Sequence, residues 1–451
     1  MILLIALAGV VAIVGISSLN WRLAVKATLI IVVLEGVLRK WVLPQASDMI
    51  YFLKDLVLLG AYLRYYLGSE LKYPLRLTFF NIALFMSVGW CVFQVFNPSL
   101  GSPIVGFFGL KTYLFYIALM WMLPNLFQSE EELYKFLRTY LVLLIPVCIL
   151  AIAQFYAPIN SPINVYAGGV QGQAVVDGNA RVTGTFPYIL GYSTYLSICF
   201  TIVIPLLSVP QTKIWSLLTL VEFFLVAGTS LMTGARGLLL FEILFILAYF
   251  CLLWFTKPSI AVRSTKHFIL PIVLITAVVP IFFNKAIEGF YKRATTSDNF
   301  TERVFSTFSE PGQAMQWKGF DSYGIGATHQ AVSTLRKILG LSLGESSPPS
   351  EGEMGRIVLE IGLFGFLIWY GLRLILIFSL LRVFLKLKTP FLRNLALAVF
   401  LLHAISLTTQ LVFNNTLAIY YWFFSGFLFL LPELEYRQSL SNRHQGNQPY
   451  V

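Results

Sequence analysis

Long unbroken blocks of apolar residues constrain this chain more than any other feature of its sequence. A helix that crosses a bilayer needs about 20 predominantly apolar residues, because lipid cannot hydrogen-bond an exposed backbone. Roughly thirteen blocks meet this criterion. They lie near residues 2–19, 24–43, 49–66, 78–97, 104–127, 137–157, 185–207, 214–233, 236–255, 268–283, 355–381, 391–413 and 415–433. The second and third of them are the blocks most interrupted by charge, at Glu35, Arg39, Lys40, Lys54 and Asp55.

The composition excludes a soluble enzyme. Of the 451 residues, 12% are charged and 57% are hydrophobic, whereas soluble domains carry about 25% charged and 45–50% apolar residues. We therefore predict an all-α polytopic integral membrane protein with roughly 12–13 transmembrane helices. Residues 1–433 would form a single polytopic membrane domain.

The distribution of basic residues predicts which loops face the cytoplasm. Lys and Arg accumulate in the linkers 256–267 and 382–393, and short cytoplasmic loops carry such an excess. The segment 284–354 has seven basic and eight acidic residues, so we predict that it is one large external, periplasmic loop. Alternation of the spans places the loop 158–184 on the same side. The polar tail 434–451 is predicted to be cytoplasmic and disordered.

Several classes of protein lack support in the sequence. No His, Cys and carboxylate residues have the spacing of metal ligands, and no Gly-rich phosphate loop is present. We therefore expect no metal, no cofactor and no ATP-driven machinery. The net charge of +11 is attributed to the orientation of the helices, and nucleic acid is not an expected partner.

Charged residues inside the predicted helices are the first candidates for function, because a charge at membrane depth needs a partner or a role. For Lys111, Arg373 and Glu242 the simplest interpretation is an internal ion pair or a side chain that reaches the interface. The candidates are Glu222, Glu242, Glu360, Lys111, Arg356 and Arg373.

Arg236 differs from these because it lies in a short turn, Thr233–Gly237, between two apolar helices on the external side. Small neighbours allow a ligand to approach the backbone closely, and a guanidinium group suits bidentate recognition of phosphate. The alternative is an arginine that only anchors a helix end at the lipid headgroups.

Two further patterns lie in and after the segment 284–354. Arg303 is followed by Trp317 and by a Gly-x-Gly pair at Gly324 and Gly326. Carboxylates then cluster at the start of a predicted span, where Glu351 and Glu353 precede Glu-x-Gly-x-x-Gly. One of them is a candidate general base; the alternative is an acidic helix N-terminus that complements the helix dipole.

Taken in order, these motifs resemble the bacterial O-antigen ligase and polysaccharide polymerase superfamily. The resemblance is best over residues 215–380 and extends to the polytopic layout with one large periplasmic loop. It implies a GT-C-like glycosyltransferase of the bacterial inner membrane that inverts the sugar linkage without a metal. The donor would be an oligosaccharide on undecaprenyl pyrophosphate. The acceptor would be a second lipid-linked glycan in a polymerase, or a lipid A core sugar in a ligase.

The resemblance also implies roles for individual residues. The pyrophosphate-binding arginines of the family correspond to Arg236 and Arg303, and the catalytic position corresponds to Glu351, with Glu353 as a second candidate. Arg181 in the loop 158–184 and Arg356 are candidates to bind or support the acceptor. Arg39 is a further such candidate and belongs to a segment, Glu35–Pro44 in sequence, that is similar to one in environmental bacterial members.

Two residues depart from the family pattern. Ala235 replaces the Ser that precedes the turn arginine, and Glu351 replaces the catalytic His of the ligases. His329 lies in the right loop but not at the matching position. The sequence leaves two alternatives open, a transporter of lipid-linked sugars and a non-catalytic membrane subunit that works with other polysaccharide assembly proteins.

Overall fold

The structure is a computed structural model of the chain. It describes residues 2–69, 72–74, 77–171, 175–176, 178–258, 262, 268, 273, 277, 280–281, 283–296 and 300–446. Helices dominate these residues, and the described strands form one two-stranded antiparallel hairpin, Val175–Val176 with Asn179–Ala180. Ten of the 16 residues in the predicted span 268–283 lie outside the described residues.

The helices are numbered in chain order. In the first half of the chain they are α1 (Ile2–Leu19), α2 (Trp21–Val37), α3 (Leu53–Leu67), α4 (Phe79–Val95), α5 (Pro103–Leu126), α6 (Glu130–Tyr156) and α7 (Ile189–Leu207). In the second half they are α8 (Lys213–Met232), α9 (Arg236–Thr256), α10 (Asn284–Thr296), α11 (Phe300–Lys318), α12 (Val332–Leu339), α13 (Glu353–Lys386), α14 (Pro390–Ile405), α15 (Asn415–Ser425) and α16 (Phe427–Gly446).

Eight helices of the described part of the chain are long and apolar enough to cross a membrane. They are α5 to α9, α13, α14 and the nearly continuous pair α15–α16, while α4 and most of α1 are shorter apolar helices. The chain is therefore an all-α, multi-pass membrane protein, as the apolar blocks predicted. Charged side chains interrupt the predicted spans 24–43 and 49–66. The structure has the helices α2 and α3 there, separated by the short helical segments Leu38–Val42, Pro44–Ala46 and Ser47–Ile50.

The predicted external segment 284–354 contains α10, α11 and α12, and α11 packs on α13. The helix α13 is broken at Gly362, whose backbone has φ 71° and ψ 174°. Trp90 Nε1 donates to Ile361 O at 2.8 Å, and the Tyr323 N–H donates to Leu359 O at 2.7 Å. These two bonds satisfy carbonyls near the break, because a buried backbone acceptor without a partner is costly.

The expectation of a disordered tail is wrong over residues 434–446, because α16 continues to Gly446. Hydrogen bonds with other segments of the chain hold this helix in place. Glu435 accepts hydrogen bonds from the N–H groups of Lys388 and Thr389, both at 2.7 Å. Arg437 Nη1 donates to Gln128 Oε1 at 3.1 Å. Residues 447–451 lie outside the described residues.

Candidate functional site

Segments distant in sequence meet at one end of the helix bundle. A π-helical turn, Leu38–Val42, follows α2, and Lys40 within it is buried. Lys40 Nζ donates to Thr183 Oγ1 at 2.7 Å and to the carbonyl of Gly184 at 2.9 Å. These bonds hold the end of the loop 158–184 against the turn that follows α2.

The same loop contacts the turn between α8 and α9. Arg181 Nε donates to the carbonyl of Thr233 at 2.8 Å. Inside this turn the Ala235 N–H donates to Thr233 Oγ1 at 3.1 Å. Arg236 follows as the partly exposed first residue of α9. Of the residues predicted from the sequence, Arg181 is thus linked to the turn that carries Arg236. Lys40, the neighbour of Arg39, binds the same loop.

Arg303 lies near the start of α11, and its side chain is outside the described residues. Glu310 follows seven residues later on the same helix, about 10 Å along the axis at the rise of an α-helix. The backbone therefore places Arg303 on the helix that packs against α13, where the candidate carboxylates begin.

Glu351 and Glu353 have different surroundings. Glu353 is buried, with Oε1 at 3.1 Å from Arg373 Nη1 and Oε2 accepting from the Val412 N–H at 2.8 Å. Glu351 is exposed, and its carbonyl oxygen accepts from Gln410 Nε2 at 2.9 Å. One oxygen of Glu353 pairs with Arg373 and the other binds the loop before α15, whereas Glu351 is exposed.

A third carboxylate, Glu310, binds the N-terminus of α13. It accepts from the Gly352 N–H at 3.0 Å and from the Gly355 N–H at 3.5 Å. A Cβ atom added at Gly352 would collide with the Glu310 carboxylate. A side chain at position 352 would therefore have to displace this carboxylate. Burial raises the pKa of Glu310, although the two N–H groups act in the opposite direction.

Arg356, on the first turn of α13, faces the loop that precedes α15. Its Nε donates to the carbonyl of Ser350 at 2.7 Å, and its guanidinium carbon lies 4.9 Å from the ring centre of Phe413. The arginine is thus held in place and partly covers an aromatic ring at the entrance to α13.

His329 lies beside this group in the segment between α11 and α12. Its Nδ1 accepts from the Ala331 N–H at 3.1 Å, and its ring centre is 4.8 Å from that of Phe108. Burial, reinforced by the positive charges of Lys111 and Arg356, lowers the pKa of His329 to about 4. The imidazole is therefore neutral at pH 7, with its acceptor nitrogen already occupied.

The glycines of the Gly-x-Gly pair serve close packing. Gly324 and Gly326 have φ values of 89° and 88°, which side chains with a Cβ rarely adopt. A Cβ atom on Gly324 would approach Leu100, and one on Gly326 would approach the backbone of Gly109. The motif therefore seats the segment between α11 and α12 on α5 and on the turn before it.

The charges predicted inside helices are largely paired within the protein. Lys111 lies 2.7 Å from Asp55, and Arg138 forms two hydrogen bonds with Glu222 at 2.6 and 2.9 Å. Glu242 accepts from Ser230 Oγ at 2.6 Å, and Glu360 accepts from the Thr328 N–H and hydroxyl at 3.0 and 2.8 Å. The ion pairs of Lys111 and Arg373 agree with the interpretation made from the sequence.

Sequence reasoning missed Glu310 and the environment of Tyr51, because neither residue belongs to a recognisable motif. Glu310 approaches Gly352 only through the packing of α11 on α13. Tyr51 contacts cations from the π-helical turn Leu38–Val42, from α3 and from α5 at once, and no spacing in the sequence brings those segments together. Among the described residues, no group of three or more His, Cys, Asp or Glu side chains could hold a metal ion.

Comparison with known proteins adds one similarity. Residues 99–209, which are 111 of the 451 residues, match the family model of the 4TM region of DNA translocase FtsK/SpoIIIE. The matched region contains α5, α6 and α7, three of the candidate spans. The similarity is to a membrane region and agrees with a multi-pass membrane protein. No curated protein matches the chain.

Proposed function

We propose that the protein is a bacterial inner-membrane glycosyltransferase with a GT-C-like architecture. It would transfer glycans from undecaprenyl pyrophosphate on the periplasmic face, in the biosynthesis of exopolysaccharide, capsule or O-antigen. The one observation that carries this proposal is that backbone carbonyls hold one arginine beside each candidate residue, Arg236 and the exposed Glu351. Arg181 is bound to the Arg236 turn, and Arg356 is bound beside Glu351.

Glu351 is the general base of this proposal. Its side chain is exposed, whereas Glu353 is buried against Arg373 and Val412 and acts as a positioning residue. The base removes the proton from an acceptor hydroxyl as that oxygen attacks the anomeric carbon of the donor. The bond from that carbon to the pyrophosphate oxygen breaks on the opposite face, so the anomeric configuration inverts.

The arginines act on the leaving group. Pyrophosphate gains negative charge as the bond to the sugar breaks, and guanidinium groups beside it stabilise that charge most in the transition state. In this proposal Arg236 and Arg303 contact the pyrophosphate, and Arg181 positions the Arg236 turn through the carbonyl of Thr233. Polymerisation is favoured over ligation because no His occupies the position of Glu351.

The test is the length distribution of surface and lipid-linked polysaccharide in the native bacterium. Wild type is compared with a deletion, with Arg236→Ala and with Glu351→Gln at matched protein level. The matched control is Lys135→Ala, which removes a charge from an exposed pair at the other end of α6. We expect the deletion and both site variants to accumulate single lipid-linked repeats and to lose long chains, while the control resembles wild type.

Other outcomes have definite meanings. Long lipid-linked chains that never reach the surface would indicate ligation. Intracellular retention of completed lipid-linked repeats would indicate a transporter. A normal profile in Arg236→Ala and Glu351→Gln beside a defective deletion would indicate a non-catalytic subunit and would refute the proposed roles of both residues.

A further inference from the structure

A cluster of charged side chains surrounds the ring of Tyr51 next to the candidate site. We call it the Tyr51 cluster; it consists of Glu35, Arg39, Tyr51, Lys54, Asp55 and Lys111. The nitrogen of Lys54 lies 4.3 Å from the ring centre, that of Lys111 5.3 Å, and the guanidinium carbon of Arg39 5.4 Å. Three cations thus lie around the Tyr51 ring, each within the range of cation–π attraction.

Two carboxylates belong to the cluster. Glu35 accepts from Arg39 Nη1 at 2.9 Å and from Lys54 Nζ at 2.7 Å. Asp55 lies 2.7 Å from Lys111 Nζ and accepts from the hydroxyl of Tyr116 at 2.5 Å. The carboxylates therefore pair with all three cations but do not balance them.

The count leaves one positive charge in excess, three cations against two carboxylates. The C-terminal end of α2 and the N-terminal end of α3 both meet the cluster. Their partial charges of about half a unit have opposite signs and cancel each other, so the helix ends do not remove the excess positive charge. A buried charge without a counter-charge is costly, so the arrangement favours an anion at this place.

Donors remain for such an anion. Arg39 donates through Nε to Ser47 at 3.1 Å and through Nη1 to Glu35, which leaves Nη2 without a hydrogen bond among the described residues. The Arg39 side chain is 10% exposed, against 3% for Lys54. Lys111 Nζ is enclosed and forms no aligned hydrogen bond with any described residue. Arg39 can thus contact a ligand, and Lys111 adds positive potential behind it.

The cluster borders both parts of the candidate site. The hydroxyl of Tyr51 is hydrogen-bonded by Asn415 Nδ2, at the end of the loop whose Val412 binds Glu353. On the other side, Lys40 binds Thr183 in the loop that contacts the Arg236 turn. An anion at Arg39 would therefore lie between the segment that carries the candidate base and the segment that carries the candidate pyrophosphate arginine.

We propose that the Tyr51 cluster is an anion-binding site for a phosphate or pyrophosphate group, with Arg39 as the contacting residue. The identity of the anion as the headgroup of a polyprenyl-linked substrate rests on the proposed function. The existence of the site rests only on the charges and contacts of the cluster.

The experiment measures binding to the full chain in phosphatidylcholine nanodiscs. One arm titrates undecaprenyl phosphate supplied in the nanodisc lipid, and the other titrates inorganic pyrophosphate. The variants are Arg39→Gln and Arg39→Lys, with Lys135→Gln as the matched control at the other end of the bundle. We expect Arg39→Gln to weaken binding by about tenfold, because a charge-assisted contact is lost, and Arg39→Lys to retain part of it.

A gain-of-binding variant separates this site from a folding defect. Glu35→Gln removes a carboxylate that competes for Arg39, so it should bind the anion more tightly than wild type, which a misfolded protein cannot do. Binding of the lipid form alone identifies a headgroup, and binding of both forms identifies a general phosphate site. Absence of binding in wild type, or equal binding in wild type, Arg39→Gln and Glu35→Gln, would overturn the inference.

This result is independent of the polysaccharide profile. If Arg236→Ala has a normal profile while Arg39→Gln loses anion binding, the proposed function fails and the anion site stands. The reverse result refutes the anion site and leaves the proposed function unaffected.

Discussion

The ion pair between Glu353 and Arg373 should be essential for the stability of the candidate site. Both side chains are 0% exposed, and Arg373 Nη1 lies 3.1 Å from Glu353 Oε1. Arg373 Nη2 also donates to the carbonyl of Ser406 at 2.8 Å, and Glu353 Oε2 accepts from the Val412 N–H. The pair therefore joins the start of α13 to both ends of the loop 406–412.

The variant Arg373→Leu removes the cation and leaves the buried carboxylate without its charged partner. Removal of one member of a buried pair costs about 3–5 kcal/mol, because the remaining charge stays desolvated. We expect a loss of that size in the free energy of unfolding. Glu353→Gln in the same chain should restore part of the loss, since a neutral amide is less costly to bury.

The assay is reversible unfolding of the full chain by SDS in mixed micelles, followed by tryptophan fluorescence. The four chains of a double-mutant cycle are wild type, Arg373→Leu, Glu353→Gln and the combined variant, because the cycle isolates the coupling between the two side chains. Lys135→Leu breaks an ion pair whose members are 71% and 73% exposed, and it should leave the unfolding curve unchanged. A loss below about 1 kcal/mol in Arg373→Leu, or additive losses in the combined variant, would refute the assigned role of the pair.

Three further predictions concern other residues of the candidate site. Gly352→Ala should displace the Glu310 carboxylate from the start of α13 and destabilise the protein in the same SDS assay by about 1.5–3 kcal/mol. Gly237→Ala is the control and should have little effect, because a Cβ atom added there meets nothing within 4 Å. Equal losses in the two variants would contradict this reasoning. The pKa of His329 is lowered to about 4 in the folded protein and is about 6.5 in the unfolded chain. The contribution of His329 to the free energy of unfolding should therefore be fully present above pH 6.5 and should decline as the pH falls towards 4. Thermal unfolding at pH 7 and pH 5 should show a smaller decline in His329→Asn than in wild type, and an identical decline would exclude His329 as its source. Arg181→Gln should loosen the turn at Thr233 and shorten polysaccharide chains at normal protein level, and a normal chain length would show that this contact is dispensable for activity.

The class of the protein could be predicted from the sequence alone, because hydrophobicity is a property of contiguous residues. The blocks near 185–207 and 236–255 became the helices α7 and α9 within a few residues of their predicted bounds. Lipid leaves an apolar segment of that length no alternative to a helix in these spans. The tail was misjudged since its helix depends on contacts with other segments, such as Glu435 with the N–H of Lys388.

The candidate site was only partly predictable. Motifs identified Arg236 and Glu351 as residue types suited to phosphate recognition and proton transfer, and the break in α13 coincides with Gly362 of the Glu-x-Gly-x-x-Gly motif. The tertiary structure alone decided that Glu353 is enclosed by Arg373, 20 residues later, that Glu310 occupies the helix start, and that Lys40 reaches Thr183, 143 residues away. Such pairings depend on which helices pack together, and charge neutralisation in a low-dielectric interior acts between neighbours in space, whatever their separation in sequence.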